Sequence, residues 1–172
     1  MYLTMNCNMR YAAIHSLDVS NGAGIGVALF VQGCHFHCKN CFNQCTWDFT
    51  GGKPWTQEVE NKFFSFVTNP RVDRVSFLGG EPLEPANYNT VLDLCKKVKA
   101  LGRLVWLFTG YDFEDVQGKS IMQYVDVCVD GQYIDEMRDF NLLYRGSSNQ
   151  RVINVPATYS TGEIVLYKPF LM

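Results

Sequence analysis

The 172-residue sequence lacks the features that mark membrane, nucleic-acid-binding and secreted proteins. Its apolar runs, such as Val27 to Val31, have the length of a strand and cannot cross a bilayer, so we expect no membrane partner. A formal net charge of −2 and a pI of about 5.9 give no broad basic surface for nucleic acid. The first residues lack a basic segment followed by an apolar stretch, so we expect no signal peptide and a cytoplasmic protein.

A disulfide framework is also missing. The chain has seven cysteines, an odd number, and four of them fall within the twelve positions from Cys34 to Cys45. Because thiols stay reduced in the cytosol, this crowding predicts metal or redox chemistry rather than disulfide bonds. The others are interpreted as small apolar residues without a special role: Cys7, Cys95 and Cys128.

Strand and helix patterns alternate along the chain, and no linker rich in proline, glycine or serine divides it. The predicted strands are 26–32, 72–78, 104–109, 125–129 and 151–155, and the predicted helices are 56–68, 87–101 and 113–124. Nearly continuous apolar strands between helices indicate an α/β domain with a mostly parallel sheet covered on both faces. Polar or glycine-rich segments follow the first four strands, so functional groups should gather at the carboxyl edge of the sheet.

The segment from Cys34 through Cys38 to Cys41 has the spacing C-x3-C-x2-C. Such close spacing lets one loop hold three corners of an iron–sulfur cube and leaves the fourth iron open to a substrate. Cys45 extends the pattern to four thiols, so a zinc knot or a ferredoxin-type cluster is an alternative, with His35 and His37 as further zinc ligands. Otherwise the two histidines are interpreted as solvated loop residues.

Two other segments carry ligand-binding potential. Gly79-Gly80-Glu81-Pro82 follows a strand, where glycines let a ligand approach the backbone and a carboxylate complements an ammonium group; the alternative is a tight turn. The polar segment from Arg145 to Gln150 suits a carboxylate, ribose hydroxyls or a partner peptide, or is a solvated loop. The remaining glycine motifs are interpreted as turns: 21–24, 109–111 and 130–131.

Together these motifs resemble the radical S-adenosylmethionine superfamily and, within it, the activating proteins of anaerobic (class III) ribonucleoside-triphosphate reductases. The resemblance runs from Tyr11 to Val152 and is most family-specific in R-G-S-S-N-Q at 145–150. The other blocks are N-G-x-G at 21–24, L-F-V-x-G-C at 29–34, the cysteine loop with Phe42, Thr46-Trp47, G-G-E-P-L at 79–83, T-G-Y at 109–111 and V-D-G at 129–131. Ala23 and Glu81 depart from the pattern, which usually has Pro and often Asp there.

The resemblance implies a single radical S-adenosylmethionine domain over residues 1–172, with a core of about 11–155, short extensions at both ends and a partial (βα) barrel. One [4Fe–4S] cluster would be held by Cys34, Cys38 and Cys41. S-Adenosylmethionine would be bound by a set of neighbouring residues: Asn40, Cys41, Phe42, Gly79, Gly80 and Glu81.

The implied reaction is reductive cleavage of S-adenosylmethionine, which generates a glycyl radical on the reductase. The electron would come from an external donor such as flavodoxin or ferredoxin. Two alternatives stand beside it. One is a small-molecule radical enzyme of the 7-carboxy-7-deazaguanine synthase type. The other is a non-catalytic electron carrier or zinc module that uses Cys45 as the fourth ligand.

Overall fold

The computed structural model describes residues 8–169, within which seven strands form one mixed sheet. Cys7 lies outside the described residues. The strands are β1 (Arg10–Asp18), β2 (Gly26–Val31), β3 (Lys53–Pro54), β4 (Arg74–Gly79), β5 (Leu104–Phe108), β6 (Val127–Asp130) and β7 (Arg151–Asn154). Their spatial order is β3-β1-β2-β4-β5-β6-β7. The α/β class is confirmed, whereas the partial barrel and the domain boundaries stay predictions.

The parallel centre of the sheet agrees with the sequence analysis. β2, β4, β5 and β6 pair in parallel, with Gly26 opposite Arg74 and Val31 opposite Gly79 in the first pair. The edges differ: β1 pairs antiparallel with β2 and β3, and β7 pairs antiparallel with β6. Antiparallel neighbours need no crossover helix, and none separates these strands in the chain. The sheet is therefore mixed, and β1 was not predicted.

Four helices accompany the sheet within the described residues: α1 (Gln57–Val67), α2 (Pro85–Ala100), α3 (Phe113–Val116) and α4 (Val155–Thr161). The Thr56 side chain caps α1 by accepting a hydrogen bond from the Val59 N–H, as its position predicts. Gly102, at φ +70°, follows the end of α2 in the left-handed conformation expected of it. None of these helices is long and apolar enough to span a membrane.

The prediction of one helix over 113–124 is wrong. α3 stops at Val116, and the chain resumes as a 3-10 helix only at Ser120–Tyr124. Gly118 lies in the break, where its backbone freedom disfavours a continuous helix. α4 was not predicted; its Asn154 side chain caps the first turn by accepting from the Ala157 N–H.

The two faces of the sheet are covered differently. Alternate side chains such as Leu29, Phe77 and Leu107 point into the main core, which all four helices join. The opposite face carries Trp106 and a small valine cluster, and loop residues rather than helices cover it. The cover includes Ala23, Tyr144 and Tyr167, and Phe108 of β5 packs against the same cluster. The second face is thus the one on which loops can enclose a cavity.

Arg74, at the amino end of β4, fixes one of those loops. Its guanidinium is fully buried and lies 2.9 Å from the Asp18 carboxylate, and it also donates to the Gly22 and Ala23 carbonyls. Burial alone would raise the pKa of Asp18, but the hydrogen bonds from Arg74 and Asn21 lower it. A Cβ added to Gly22 would lie 2.6 Å from the Arg74 Nε, so the N-G-x-G segment is more than a turn.

Candidate functional site

A cavity of about 480 Å³ opens at the carboxyl edge of the parallel strands. Its walls come from the segments that follow β2, β4, β5 and β6, as the strand-end pattern predicts. Representative lining residues from these segments are Cys34, Gly80, Thr109 and Gly131. A volume of this size accommodates a cofactor or small ligand.

All three cysteines of the C-x3-C-x2-C loop line this cavity, and all three are half-buried: Cys34, Cys38 and Cys41. The loop begins directly after β2 and is held by Thr46-Trp47, whose carbonyls accept from the N–H groups of Gly33 and Cys34. His37 and Asn40 adopt positive φ values of 48° and 55°, which turn the chain sharply between the cysteines. Local backbone geometry therefore directs three thiols into one space.

The electrostatics of the cavity fit a cationic metal group. Burial raises the pKa of the Cys34 thiol to about 11. The pKa of Cys38 is also raised, first by burial and then by electrostatic repulsion from the neighbouring Cys41. Thiolates here need a compensating positive charge, which iron supplies. Among residues 8–169, no three His, Cys, Asp or Glu side chains converge on one metal ion. In a cubane each thiolate binds a different iron, so three thiols around one cavity suit a cluster.

Cys45 is placed differently from the other three. Its side chain is exposed and is not among the residues that line the cavity. Its carbonyl accepts a hydrogen bond from the Gln32 side chain, which fixes the backbone after the cysteine loop. The four thiols of the extended spacing are therefore not brought together on one cavity wall.

The two loop histidines are exposed, as predicted, but each makes a specific contact. The His35 ring is hydrogen-bonded through Nδ1 to the buried carboxylate of Glu84, which also accepts from the His35 N–H at 3.0 Å. Glu84 is the N-cap residue of α2, so this pair ties the cysteine loop to that helix. His37 stacks on Trp47, with ring centroids 4.7 Å apart. Both histidines are therefore solvated loop residues, as predicted, and each also makes a structural contact that the sequence does not indicate.

Glu81 lines the cavity but is also a structural link. Its carboxylate is buried and accepts hydrogen bonds from the Leu83 N–H, the Thr109 hydroxyl and the Gly110 N–H, at 2.8–3.0 Å. Burial raises the pKa of Glu81 to about 7, although these bonds act in the opposite direction. Thr109-Gly110 is thus a docking point for the β4 loop as well as a turn.

Gly79 and Gly80 line the cavity where the β4 loop approaches the β2 loop closely. Gly79 has φ +102°, and a Cβ added there would lie 2.8 Å from the Phe30 Cα. A Cβ on Gly80 would lie 2.5 Å from the Gly33 carbonyl oxygen. Both glycines are therefore required by the contact between two strand ends, which keeps the cysteine loop beside the Gly-Gly-Glu-Pro loop.

Of the two predicted cofactor-binding residues Asn40 and Phe42, only Phe42 lines the cavity. Phe42 lines the cavity and packs against Tyr133, with ring centroids 5.2 Å apart. Asn40 is exposed and is not among the lining residues; its amide donates to the Asp135 carboxylate at 2.7 Å. This bond holds the segment between β6 and β7 against the cysteine loop. Sequence reasoning assigned no role to that segment before Arg145.

The R-G-S-S-N-Q motif builds a wall of the cavity. Gln150 accepts from the Gly146 N–H and donates to the Gly131 carbonyl, both at 2.9 Å. Asn149 donates to the Gln132 carbonyl, and the Ser147 hydroxyl accepts from the Ile134 N–H. One of these bonds lies within the motif and three join it to residues 131–134, so the motif is held against the segment that follows β6. The reading as a solvated loop is wrong for these three residues.

Comparisons with known proteins agree on one family. The sequence model of a family described as a 4Fe-4S single cluster domain matches residues 20–153. The chain is similar to the anaerobic ribonucleoside-triphosphate reductase-activating protein of Vibrio cholerae, with 41% identity over 83% of this chain and 96% of that protein. The proteins of the same name from Salmonella typhimurium and Haemophilus influenzae are 35% and 36% identical, over 84% and 83% of this chain and 97% and 96% of theirs.

Proposed function

Because the chain belongs to the family of anaerobic ribonucleoside-triphosphate reductase-activating proteins, we propose that it generates a glycyl radical on such a reductase. In this proposal it is a radical S-adenosylmethionine enzyme with one [4Fe–4S] cluster. The single observation that carries the proposal is that three thiols line one cavity, those of Cys34, Cys38 and Cys41, whereas the Cys45 thiol lies outside it.

The three thiols would hold three irons and leave the fourth without a protein ligand. When bound, the reduced cluster would supply the one electron that splits S-adenosylmethionine into methionine and a 5′-deoxyadenosyl radical, which takes a hydrogen atom from a reductase glycine. The products are 5′-deoxyadenosine and the glycyl radical. The electron would come from an external donor such as flavodoxin or ferredoxin, and the reaction would take place in the cytoplasm.

The protein side chains bind and orient the reactants. Phe42, Gly79 and Gly80 line the cavity, and in this proposal they would border the adenosyl and methionyl groups. The Glu81 carboxylate accepts three hydrogen bonds of about four that it can accept, so it has one acceptor site for the cofactor's ammonium. Asn40 would support the site through its bond to Asp135, which joins the cysteine loop to the segment between β6 and β7.

Anaerobic reconstitution tests the proposal. The wild-type protein should take up about four irons per chain and, with a reductant, convert S-adenosylmethionine to 5′-deoxyadenosine. Cys45→Ser should keep both properties because its thiol lies outside the cavity, whereas Cys41→Ser should lose the cluster. The measurements are iron content and chromatography of the nucleoside product.

The alternatives give different results. Loss of the cluster in Cys45→Ser, or zinc retained in place of iron, would indicate a four-thiolate carrier or zinc module. An electron paramagnetic resonance signal of a glycyl radical on added anaerobic reductase would support the activating function. Cleavage of S-adenosylmethionine without that signal would favour a small-molecule radical enzyme.

A further inference from the structure

Arg145 is the one cationic side chain among the described residues that line the cavity. Its Nε is buried and has no hydrogen-bond partner within residues 8–169, and its guanidinium forms no ion pair there. The other charged side chain of the cavity wall, Glu81, is bonded to Leu83, Thr109 and Gly110 rather than to Arg145. A guanidinium without a partner in a ligand-sized cavity is suited to an anion.

The unpaired nitrogen alone does not identify a ligand site, because the Arg103 Nε is also buried and unpaired. Arg103, however, immediately precedes β5 at the amino edge of the sheet, and it donates through Nη2 to the Asn69 carbonyl. The cations nearer the cavity are engaged: Arg138 stacks on Phe42, and Arg151 pairs with Asp130. Within the described part of the chain, Arg145 alone combines an available guanidinium with a position on the cavity wall.

The residues on either side of Arg145 hold its backbone in place. Tyr144 has φ +62° and packs edge-on against the buried Trp106, with ring centroids 5.1 Å apart. A Cβ added to Gly146 would lie 2.8 Å from the Phe42 ring, and the Gly146 N–H donates to Gln150. With both neighbours fixed by packing and hydrogen bonding, little backbone entropy is lost when Arg145 binds a ligand.

We propose that Arg145 binds the methionyl carboxylate of S-adenosylmethionine. The planar guanidinium matches a carboxylate through two parallel hydrogen bonds, and the carboxylate is the only anionic group of this cofactor. The Glu81 carboxylate would repel an anion and attract the ammonium, so the two charged side chains sort the two charged groups of the methionyl end. This inference rests on the proposed function, and it gives the R-G-S-S-N-Q motif a ligand as well as a structural role.

The test compares two ligands in the reconstituted protein. Equilibrium dialysis should show that Arg145→Gln binds S-adenosylmethionine about 10- to 100-fold more weakly than wild type. Its affinity for decarboxylated S-adenosylmethionine should stay within about twofold of the wild-type value, because the group that Arg145 contacts is gone. Arg145→Lys, which keeps the charge but loses the paired hydrogen bonds, should lie between the two.

Arg103→Gln is the matched control and should bind both ligands like wild type. Each variant should match wild type in its circular dichroism spectrum, which checks the fold, and in its iron content, which checks the cluster. If Arg145→Gln weakened the binding of both ligands equally, the inference would be overturned. Normal binding of S-adenosylmethionine with loss of the glycyl radical on the reductase would also overturn it, because Arg145 would then contact the reductase rather than the cofactor. Failure of the wild-type protein to bind S-adenosylmethionine would instead overturn the proposed function, and this inference with it.

Discussion

The two edges of the parallel strands use polar groups in opposite ways. At the amino edge, the buried Arg74 donates to a carboxylate, a hydroxyl and several carbonyls, so its charge is satisfied. Near the carboxyl edge lie four of the five buried side-chain atoms that have no hydrogen-bond partner in residues 8–169. They belong to Gln32, Asn87, Arg145 and Asn149.

This difference indicates that polar groups at the amino edge serve folding, whereas some of those at the carboxyl edge are available for binding. A satisfied buried charge such as Arg74 fixes a loop in one conformation. Of the four unpaired atoms, only the Arg145 Nε belongs to a charged side chain that lines the cavity, and it can therefore gain a hydrogen bond with a ligand. The carboxyl edge also carries the raised pKa values of Cys34 and Glu81, which reflect the cost of placing a charge on a buried group. The amino edge therefore stabilises the protein, and the carboxyl edge is kept less stable than it could be.

The largest expected effect tests the amino edge. Arg74→Ala would leave the buried Asp18 carboxylate without its partner, so the free energy of unfolding should fall by about 3–5 kcal/mol. Urea denaturation of the cluster-free protein measures it. Lys39→Met, which removes an exposed ion pair with Glu136 at the other edge, is the control and should leave the midpoint unchanged. Similar losses in both variants would erase the contrast between the edges.

A second, pH-dependent effect tests the carboxyl edge. The pKa of Glu81 is raised from its ordinary 4.5 to about 7, so the folded protein binds this proton more tightly than the unfolded chain. Stability should therefore fall as pH rises from about 4.5 to about 7, by roughly 3 kcal/mol from this group. Unfolding of the cluster-free protein across that range should show the slope, and Glu81→Gln should reduce it. An unchanged slope in the variant would mean that Glu81 titrates normally.

The smallest effect concerns a backbone position that precedes β5. Gly102 has φ +70° with no atom within 4 Å of an added Cβ, so Gly102→Ala should cost about 1 kcal/mol of stability through conformation alone. Gly118 has equally open surroundings without a positive φ, and Gly118→Ala should be neutral or slightly stabilising. Thermal denaturation measures both variants. Equal shifts would show that side-chain space, not backbone strain, governs these turns.

Much of the fold was predictable because its signals are local. Apolar runs located the parallel strands, and Thr56 and Gly102 marked helix ends through their own side-chain or backbone chemistry. The antiparallel strands β1 and β3 and the short α4 were missed. β1 is only half-buried along most of its length, and its apolar run at 11–14 is only four residues long. α4 is too short for a clear helical period.

The site was predictable where chemistry and spacing coincide and not where it depends on contacts across the chain. C-x3-C-x2-C brought three thiols together within one loop. That His35 would pair with Glu84, 49 positions away, or that Gln150 would bond to Gly131, has no signature in the local sequence. The position of Cys45 is similar: spacing allowed it as a fourth ligand, and only the fold turned it outward.

Local sequence was enough to predict the strand–helix alternation, a mostly parallel sheet and the loop of three cysteines, because each depends on residues that are neighbours in the chain. Contacts between distant segments set three other features: loops rather than helices cover the second face, Arg74 and Asp18 form a buried pair, and Arg145 lines the cavity with an Nε that has no hydrogen-bond partner in residues 8–169. Burial and charge depend on which distant segments meet, and that is fixed only when the whole chain has folded.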